Sequence, residues 1–567
     1  MNTKLCGCEA VLENGVLHLS NPLIQYEAHA ILDYTASCED AQGCSLPFME
    51  VQAQRRVGTP RRYRMWQDLP LVWLSEAEGD TLMTLTDDHW IIRDIKLNAF
   101  TDEVDTLTET GEMHLFDRGL KDPREGDIFF LENIETGNAV ILISETPDFA
   151  KSYLTIQRKE GWVKIQNQMH PIVIGYCRVG ECEALCRSYF RHANKRPTLV
   201  TMSNTWGNNG SRDQVRADFL IREVDAAHEL GVDIVQIDDG WSIGPPFPKD
   251  AQRRNICEGN CWDVNTEKFP NGIREVTDYA AKYGIRVGLW FLPYSKNNFE
   301  MIERDLSILR TAYEEWGIRF FKIDLYYAET PQGRDSMLYL LKTIHSFGPD
   351  VSVQLDTTRF ARLNYLCGRE FGTIFVENRY TMIGSSFPHR VLRNLWMISR
   401  YMPSSRFQFE VIDPDLNTHV YRESDPFAPR LFDMDYLFAT TMLSNPLFWM
   451  YMQNLSEKRR AELAPLMKVW RECRRDFVSG DVCPIGEKPS GRSLTGFVVT
   501  DGQKPTYLLL FREVTDREGA TFSVPGLRNG MQAEVLASNT DASATVSDGT
   551  VAFSIKKMRG YALIKLI

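Results

Sequence analysis

The chain has 567 residues, too many for one core, so two to four domains are expected. Its 43% hydrophobic and 25% charged content is that of a globular protein rather than a disordered one. A formal net charge of −12 argues against a phosphate-backbone partner, so no nucleic-acid binding is expected.

No apolar run approaches the roughly 20 residues that a membrane span needs, and no membrane partner is expected. The opening residues, Met1-Asn2-Thr3-Lys4-Leu5-Cys6, lack the apolar core of a signal peptide, which makes a cytoplasmic location the expectation. Up to about residue 176 the pattern is strand-like. Short apolar or alternating runs at 87–95, 126–132, 139–144 and 163–167 are separated by Gly, Asp and Asn turns. They predict an N-terminal β-sandwich over 1–196. A linking helix at 181–193 closes it, and Lys195-Arg196-Pro197 breaks that helix.

From 197 to 479 strands and helices alternate, the signature of a parallel α/β fold. Strand candidates end near Trp206, Asp238, Trp290, Asp324, Leu355 and Glu377, with two more near Gln408 and Phe448. Amphipathic stretches at 213–230, 273–283, 301–316, 336–345 and 390–401 lie between them, which predicts a central (β/α)8 TIM barrel. Ser456 is placed to cap a helix over 456–476. Short strands at 493–499, 506–511 and 561–567 then predict a small C-terminal β-sandwich over 480–567.

Twelve cysteines raise the question of zinc or disulfides. Cys177, Cys182 and Cys186 fall on a strand-to-helix stretch, and Cys257 and Cys261 flank Glu258-Gly259-Asn260. Neither group has zinc-ligand spacing, so no metal is expected. Reduced thiols are the expected state, with a Cys257–Cys261 disulfide as the alternative.

The chemistry is concentrated where apolar runs end in charge. Ile234-Val235-Gln236-Ile237 leads into Asp238-Asp239-Gly240-Trp241, Phe320-Phe321-Lys322-Ile323 into Asp324, and Ile374-Phe375-Val376 into Glu377. Burying carboxylates is costly unless something binds them. In a parallel barrel the C-terminal strand tips converge on one mouth, where the chemistry sits. Asp324 and Glu377, two strands apart, are candidates for the nucleophile and the acid/base of a retaining glycosidase, whose carboxyls stand about 5–5.5 Å apart. Lys322, two residues before Asp324, shares its side of the strand and would favour its ionised form. Paired Asp238 and Asp239 suit sugar hydroxyls. Trp206, Trp241 and Trp290 offer flat apolar faces, although a single Trp is more often core.

The barrel region resembles the retaining α-galactosidases of glycoside hydrolase family 36, relatives of the melibiases. The matching pieces are Ser203-Asn204-Thr205-Trp206, Ile237-Asp238-Asp239-Gly240-Trp241, Trp262-Asp263-Val264-Asn265 with Lys268-Phe269-Pro270-Asn271-Gly272, Gly288-Leu289-Trp290-Phe291 and Phe321-Lys322-Ile323-Asp324. The resemblance implies that Asp324 is the nucleophile. It also implies that Asp238 and Asp239 grip the galactose O4 and O6 hydroxyls, and that Lys322, Trp206 and Trp290 help hold the sugar. It implies no cofactor, an oligosaccharide or glycoside as partner, and a homo-oligomer as one assembly. Two places depart from the family. Gln354-Leu355-Asp356-Thr357-Thr358-Arg359-Phe360 replaces a Cys- and Gly-rich turn, and Val376-Glu377-Asn378 replaces a Ser-Asp whose Asp is the acid/base. Glutamate can perform the same proton transfer with a longer reach, while Asp356 is a second acid/base candidate and Arg359 a substrate contact. Asp413 and Asp415 read as turn residues.

The leading expectation is therefore a retaining exo-α-glycosidase acting on terminal α-galactosides or galactose-like α-glycosides. An α-galactosyl transglycosylase, an α-N-acetylgalactosaminidase and a catalytically weak carbohydrate-binding protein are the alternatives. A barrel lyase with Lys322 as a Schiff base would need a depressed lysine pKa, which neighbouring Asp324 opposes.

Overall fold

A computed structural model describes residues 198–567, apart from 210–211, 245–259, 325–329, 357–370 and 377–380. Before residue 198 it describes the strands, one helix and a few of the connections between them. The chain divides into two compact units, residues 1–98 with 108–195 and residues 99–107 with 196–567.

The first unit is built on antiparallel sheets of eight and ten strands. Strands Ile128–Asn133, Asn138–Ser144 and Ile172–Arg178 pair in succession within the ten-stranded sheet. Residues 128–131, 139–143 and 172–174 are all buried, as expected of apolar runs covered on both faces. A helix, Cys182–Ala193, follows the last of these strands.

In the second unit eight strands close a parallel barrel. They are β1 Met202–Asn204, β2 Ile234–Ile237, β3 Arg286–Phe291, β4 Phe320–Asp324, β5 Ser352–Asp356, β6 Gly372–Phe375, β7 Phe407–Val411 and β8 Asn445–Phe448. Every residue of β2, β4, β7 and β8 is buried. Outer helices include α1 Ala217–Leu230, α2 Arg274–Ala281, α3 Ile302–Glu314, α4 Pro331–Ser346, α5 Pro388–Ile398, α6 Met434–Ala439 and α7 Glu457–Ser479. Local sequence sets their ends. Gly231 stops α1 in the left-handed conformation at φ 75°. Thr330 caps α4 by accepting from the Gly333 N–H, with Pro331 as the first helical residue. Ser456 caps α7 by accepting from the Arg459 N–H. Helix α4 starts earlier than the apolar pattern at 336–345 suggests, because the Thr-Pro start signal lies upstream of that pattern. The short helix α6 has no counterpart in the sequence reading.

The chain ends in a five-stranded and a three-stranded antiparallel sheet. Their shared core includes Leu494, Leu508, Leu510, Val551, Phe553 and Ile564. Among the described residues no helix is long and apolar enough to cross a membrane. Cys261 is disulfide-bonded, so the expectation of reduced thiols fails at this position. Its neighbour Cys257 lies outside the described residues. Cys177, Cys182, Cys186, Cys473 and Cys483 are thiols outside any disulfide.

Candidate active site

Strand register assembles the site. Side chains two apart on a strand share a face, so Lys322 and Asp324 of β4 both turn to the barrel axis. Asp324 lies opposite Asp356 of β5, while Lys322 lies opposite Gln354 on one side and Trp290 of β3 on the other. Asp238 and Asp239 directly follow β2. All four carboxylates are buried: Asp238 is 2% exposed, Asp239 3%, Asp324 8% and Asp356 0%. Such a cluster stands only if cations and donors hold it.

Lys322, itself 2% exposed, is the central cation. Its Nζ lies 2.9 Å from Asp238 Oδ2 and 3.1 Å from Asp356 Oδ2. The Trp449 ring lies beneath the ammonium, 5.2 Å from Nζ to the ring centre. Burial alone would lower the Lys322 pKa, but Asp238, Asp356 and Asp324 outweigh it and hold the ammonium well above the usual lysine range. The ion-pair partners of Lys322 are thus Asp238 and Asp356, rather than the neighbouring Asp324 alone. A long flexible stem reaches across the mouth further than strand parity suggests. A protonated lysine of this kind cannot serve as a Schiff-base nucleophile.

Asp238 is held on every side. Asn204 Nδ2, at the end of β1, donates to its Oδ2 at 2.8 Å, and the Asp239 N–H donates to its Oδ1 at 2.8 Å. Its own N–H donates to Thr205 Oγ1 at 3.0 Å. Arg212, from the loop after β1, binds Asp239 Oδ1 through NH2 at 2.7 Å. Burial, then the charges of Asp238 and Asp324, push Asp239 up to about 6 against the opposing pull of Arg212. Gly240 follows at φ 121°, a left-handed position where a Cβ would lie 2.9 Å from the Arg212 carbonyl oxygen. Lys268 Nζ ties this turn together by donating to the carbonyls of Arg212 at 2.8 Å and Gly240 at 3.0 Å.

Asp324 receives a hydrogen bond on Oδ2 from Trp290 Nε1 at 2.7 Å. Trp241 lies behind that contact rather than in the mouth. It is fully buried, and its Nε1 donates to the Trp290 carbonyl at 2.9 Å. Trp262 stacks on it with ring centres 5.7 Å apart. The expectation that Trp241 offers a face to the sugar is corrected on this geometry, because the indole is enclosed by other aromatic rings. Trp206 is half-buried just beyond β1, its N–H donating to Asn204 Oδ1 at 2.7 Å. Asp413 accepts the Asp415 N–H at 2.9 Å, and Asp415 pairs with Arg459 at 2.9 Å, so both occupy the turn roles expected of them. Glu377 and Arg359 lie outside the described residues. Strand β6 ends at Phe375, two residues before Glu377.

Sequence reasoning missed Arg212 and Trp449, which carry no periodic signal. Asn204, Thr205 and Lys268 are present in the motif pieces but had no assigned task. Among the described residues no group of three or more His, Cys, Asp or Glu is placed to hold a metal ion.

The mouth of a closed parallel barrel thus gathers four buried carboxylates around one buried ammonium. Residues 167–326 match the Melibiase family model. An α-galactosidase of Lactobacillus acidophilus is 30% identical over 140 residues, which are 25% of this chain and 16% of that protein. The aligned stretch thus spans about a sixth of that relative's length. An α-galactosidase from Lactobacillus brevis has the same fold, with a TM-score of 0.69 over 95% of this chain and 84% of that one at 13% identity. The family 36 α-galactosidase AgaA from Geobacillus stearothermophilus aligns over 100% of this chain and 90% of its own, with a TM-score of 0.66 and 14% identity. The resemblance to glycoside hydrolase family 36 is borne out by these matches. The family match ends two residues after Asp324, at the half of the barrel where the chain departs from the family.

Proposed function

We propose that this protein is a retaining exo-α-glycosidase that removes terminal α-galactose, or a galactose-like sugar, by double displacement. The observation that carries the reading is Asp324. Its carboxylate stands at the tip of β4 with one oxygen oriented by Trp290 Nε1 at 2.7 Å, beside the Lys322 ammonium. A carboxylate so placed is aimed, which is what attack on an anomeric carbon requires.

In this reading Asp324 attacks the anomeric carbon while Glu377 protonates the leaving oxygen. Glu377, then a base, activates water against the glycosyl-enzyme, and both carboxyls return to their starting states. Asp238 and Asp239 accept hydrogen bonds from sugar hydroxyls, with Lys322 and Arg212 fixing where those oxygens point. Trp206 supplies an apolar ring face at the rim, and Arg359 a further contact. Asp356 is the poorer acid/base candidate. It is fully enclosed and bound to Lys322 at 3.1 Å, so it does not face a leaving group. Variants of the Geobacillus enzyme have been solved with raffinose and with stachyose. Such α-galactosyl oligosaccharides are the substrate class we assign. We divide the chain into a β-rich part over 1–196, the catalytic barrel over 197–479 and a C-terminal β-rich part over 480–567.

A panel of chromogenic α-galactoside, α-N-acetylgalactosaminide, α-glucoside and β-anomer controls tests the reading, run with wild type, Asp324→Ala and Glu377→Gln. Release of one α-sugar, abolished in Asp324→Ala and cut by at least about 10²-fold in Glu377→Gln, is expected. If Asp324→Ala retains activity, the nucleophile assignment fails. If Glu377→Gln is unaffected, the acid/base role passes to Asp356.

A further inference from the structure

The sequence places three cysteines around the end of one strand and the start of one helix, far along the chain from the barrel chemistry. Cys177 is the penultimate residue of strand Ile172–Arg178, and Cys182 opens helix Cys182–Ala193. A tight turn joins them. The Glu181 N–H donates to the Arg178 carbonyl at 3.0 Å, and the Arg178 N–H donates to Glu181 Oε2 at 3.0 Å. This turn folds the helix start back over the strand end and brings the two sulfurs to 3.6 Å. Cys186, one helical turn further along, is fully buried on the same face.

We propose that Cys177 and Cys182 form a reversible dithiol–disulfide pair, oxidised by a small-molecule disulfide of the glutathione type. A disulfide needs a sulfur–sulfur distance of about 2.05 Å, so the sulfurs must close by about 1.5 Å. That is within reach of side-chain rotation in a pair whose backbones are already held together. Burial and exposure divide the labour. Cys177 is half-buried and accessible to a reagent, whereas Cys182 is 1% exposed. The hydrogen bond to Cys177, together with burial, pushes the Cys182 thiol far up, so it waits as a thiol.

The Cys177 thiolate attacks one sulfur of the small disulfide, forming a mixed disulfide and expelling one small thiolate. Cys182 then loses its proton and attacks Cys177 Sγ, which breaks the mixed disulfide and expels the second small thiolate. Two protein thiols are oxidised and one small disulfide is reduced to two thiols. The Cys182 Sγ also lies 3.7 Å from Glu132 Oε1, whose charge adds to what keeps the resolving sulfur a thiol until the mixed disulfide has formed. The disulfide already present at Cys261 indicates a chain whose folded state is compatible with oxidised cysteines.

The test uses the 567-residue chain, reduced with dithiothreitol, freed of that reductant and then exposed to oxidised glutathione. The protein is unfolded in denaturant, free thiols are alkylated, and peptides are mapped without reduction. The expected result is alkylation of both cysteines before oxidation and a Cys177–Cys182 link, lighter by two hydrogens, after it. Cys182→Ser should stop at a glutathione adduct on Cys177, and Cys177→Ser should leave Cys182 unmodified. Wild-type protein that keeps both thiols free, retains a stable adduct on Cys177, or links Cys182 to Cys186 overturns the proposal. The decisive reading is made on wild type, so misfolding of a variant does not obscure it.

Discussion

Replacing Lys322 with Met removes the cation on which the mouth of the barrel depends, and the structure sets the scale of the effect. At an effective dielectric of about 20, charges 2.9 and 3.1 Å apart attract by about 6 and about 5 kcal/mol. Most of that gross attraction offsets the cost of taking three charged groups out of water, so the intact triad contributes little net stability. Deleting one member differs from never having built it. Methionine fills the same volume, yet Asp238 and Asp356 are left buried without their ammonium. Breaking a buried pair costs about 3–5 kcal/mol, and two stranded carboxylates place Lys322→Met at the upper end.

The sign with pH follows. The Lys322 pKa is raised in the fold, so its contribution is fully present below the free lysine value of about 10.4 and is lost only in strong alkali. Wild type therefore keeps this interaction across the ordinary range. In the variant the stranded carboxylates take up protons more readily, so the deficit should shrink from pH 7 to pH 5. Denaturant midpoints at both pH values measure it, and adding Asp356→Asn to Lys322→Met should recover part of the loss. A midpoint unchanged at pH 7, or a deficit equal at the two pH values, would refute the reasoning.

Asp239 behaves in the opposite sense, because its carboxyl is raised to about 6, so stability is greatest below its free value of about 3.9 and falls as pH rises through 6. Asp239→Asn should accordingly be more stable than wild type by about 1–3 kcal/mol at pH 8, with the two curves meeting below about pH 4 and glycoside hydrolysis strongly reduced throughout. An Asn variant that is less stable at pH 8 would contradict this. Trp241→Phe removes the donor to the Trp290 carbonyl, 2.9 Å away, and should cost about 1–3 kcal/mol. Because Trp290 orients Asp324, kcat should fall while KM changes little; steady-state kinetics on the active glycoside decide it. At Gly207 a Cβ would lie 2.2 Å from the Trp449 carbonyl carbon and oxygen. Gly207→Ala should lower thermal stability by an amount equivalent to about 1–3 kcal/mol, and an unchanged melting temperature would show that the loop gives way freely.

What the sequence discloses here depends on whether a residue's task is set along the strand or across the barrel. The tips of β2 and β4 are legible because an apolar run that ends in Asp238-Asp239 or Lys322-Ile323-Asp324 contradicts its own burial unless a site is there. Parity alone then puts Lys322 and Asp324 on one side. Parity cannot say which carboxylates the ammonium reaches, since that depends on register with β5 and on the turn after β2. Hence Asp238 and Asp356 emerge as its partners only in three dimensions. Trp241 illustrates the same limit from the other direction. It stands four residues past the end of β2, where the left-handed Gly240 turns the chain, so its direction follows from that turn and from Trp262 rather than from strand alternation. Arg212 is further removed, because it reaches Asp239 from a loop with no period at all. Residues whose roles are carried by such loops become visible only when the closed barrel brings the loops to one mouth.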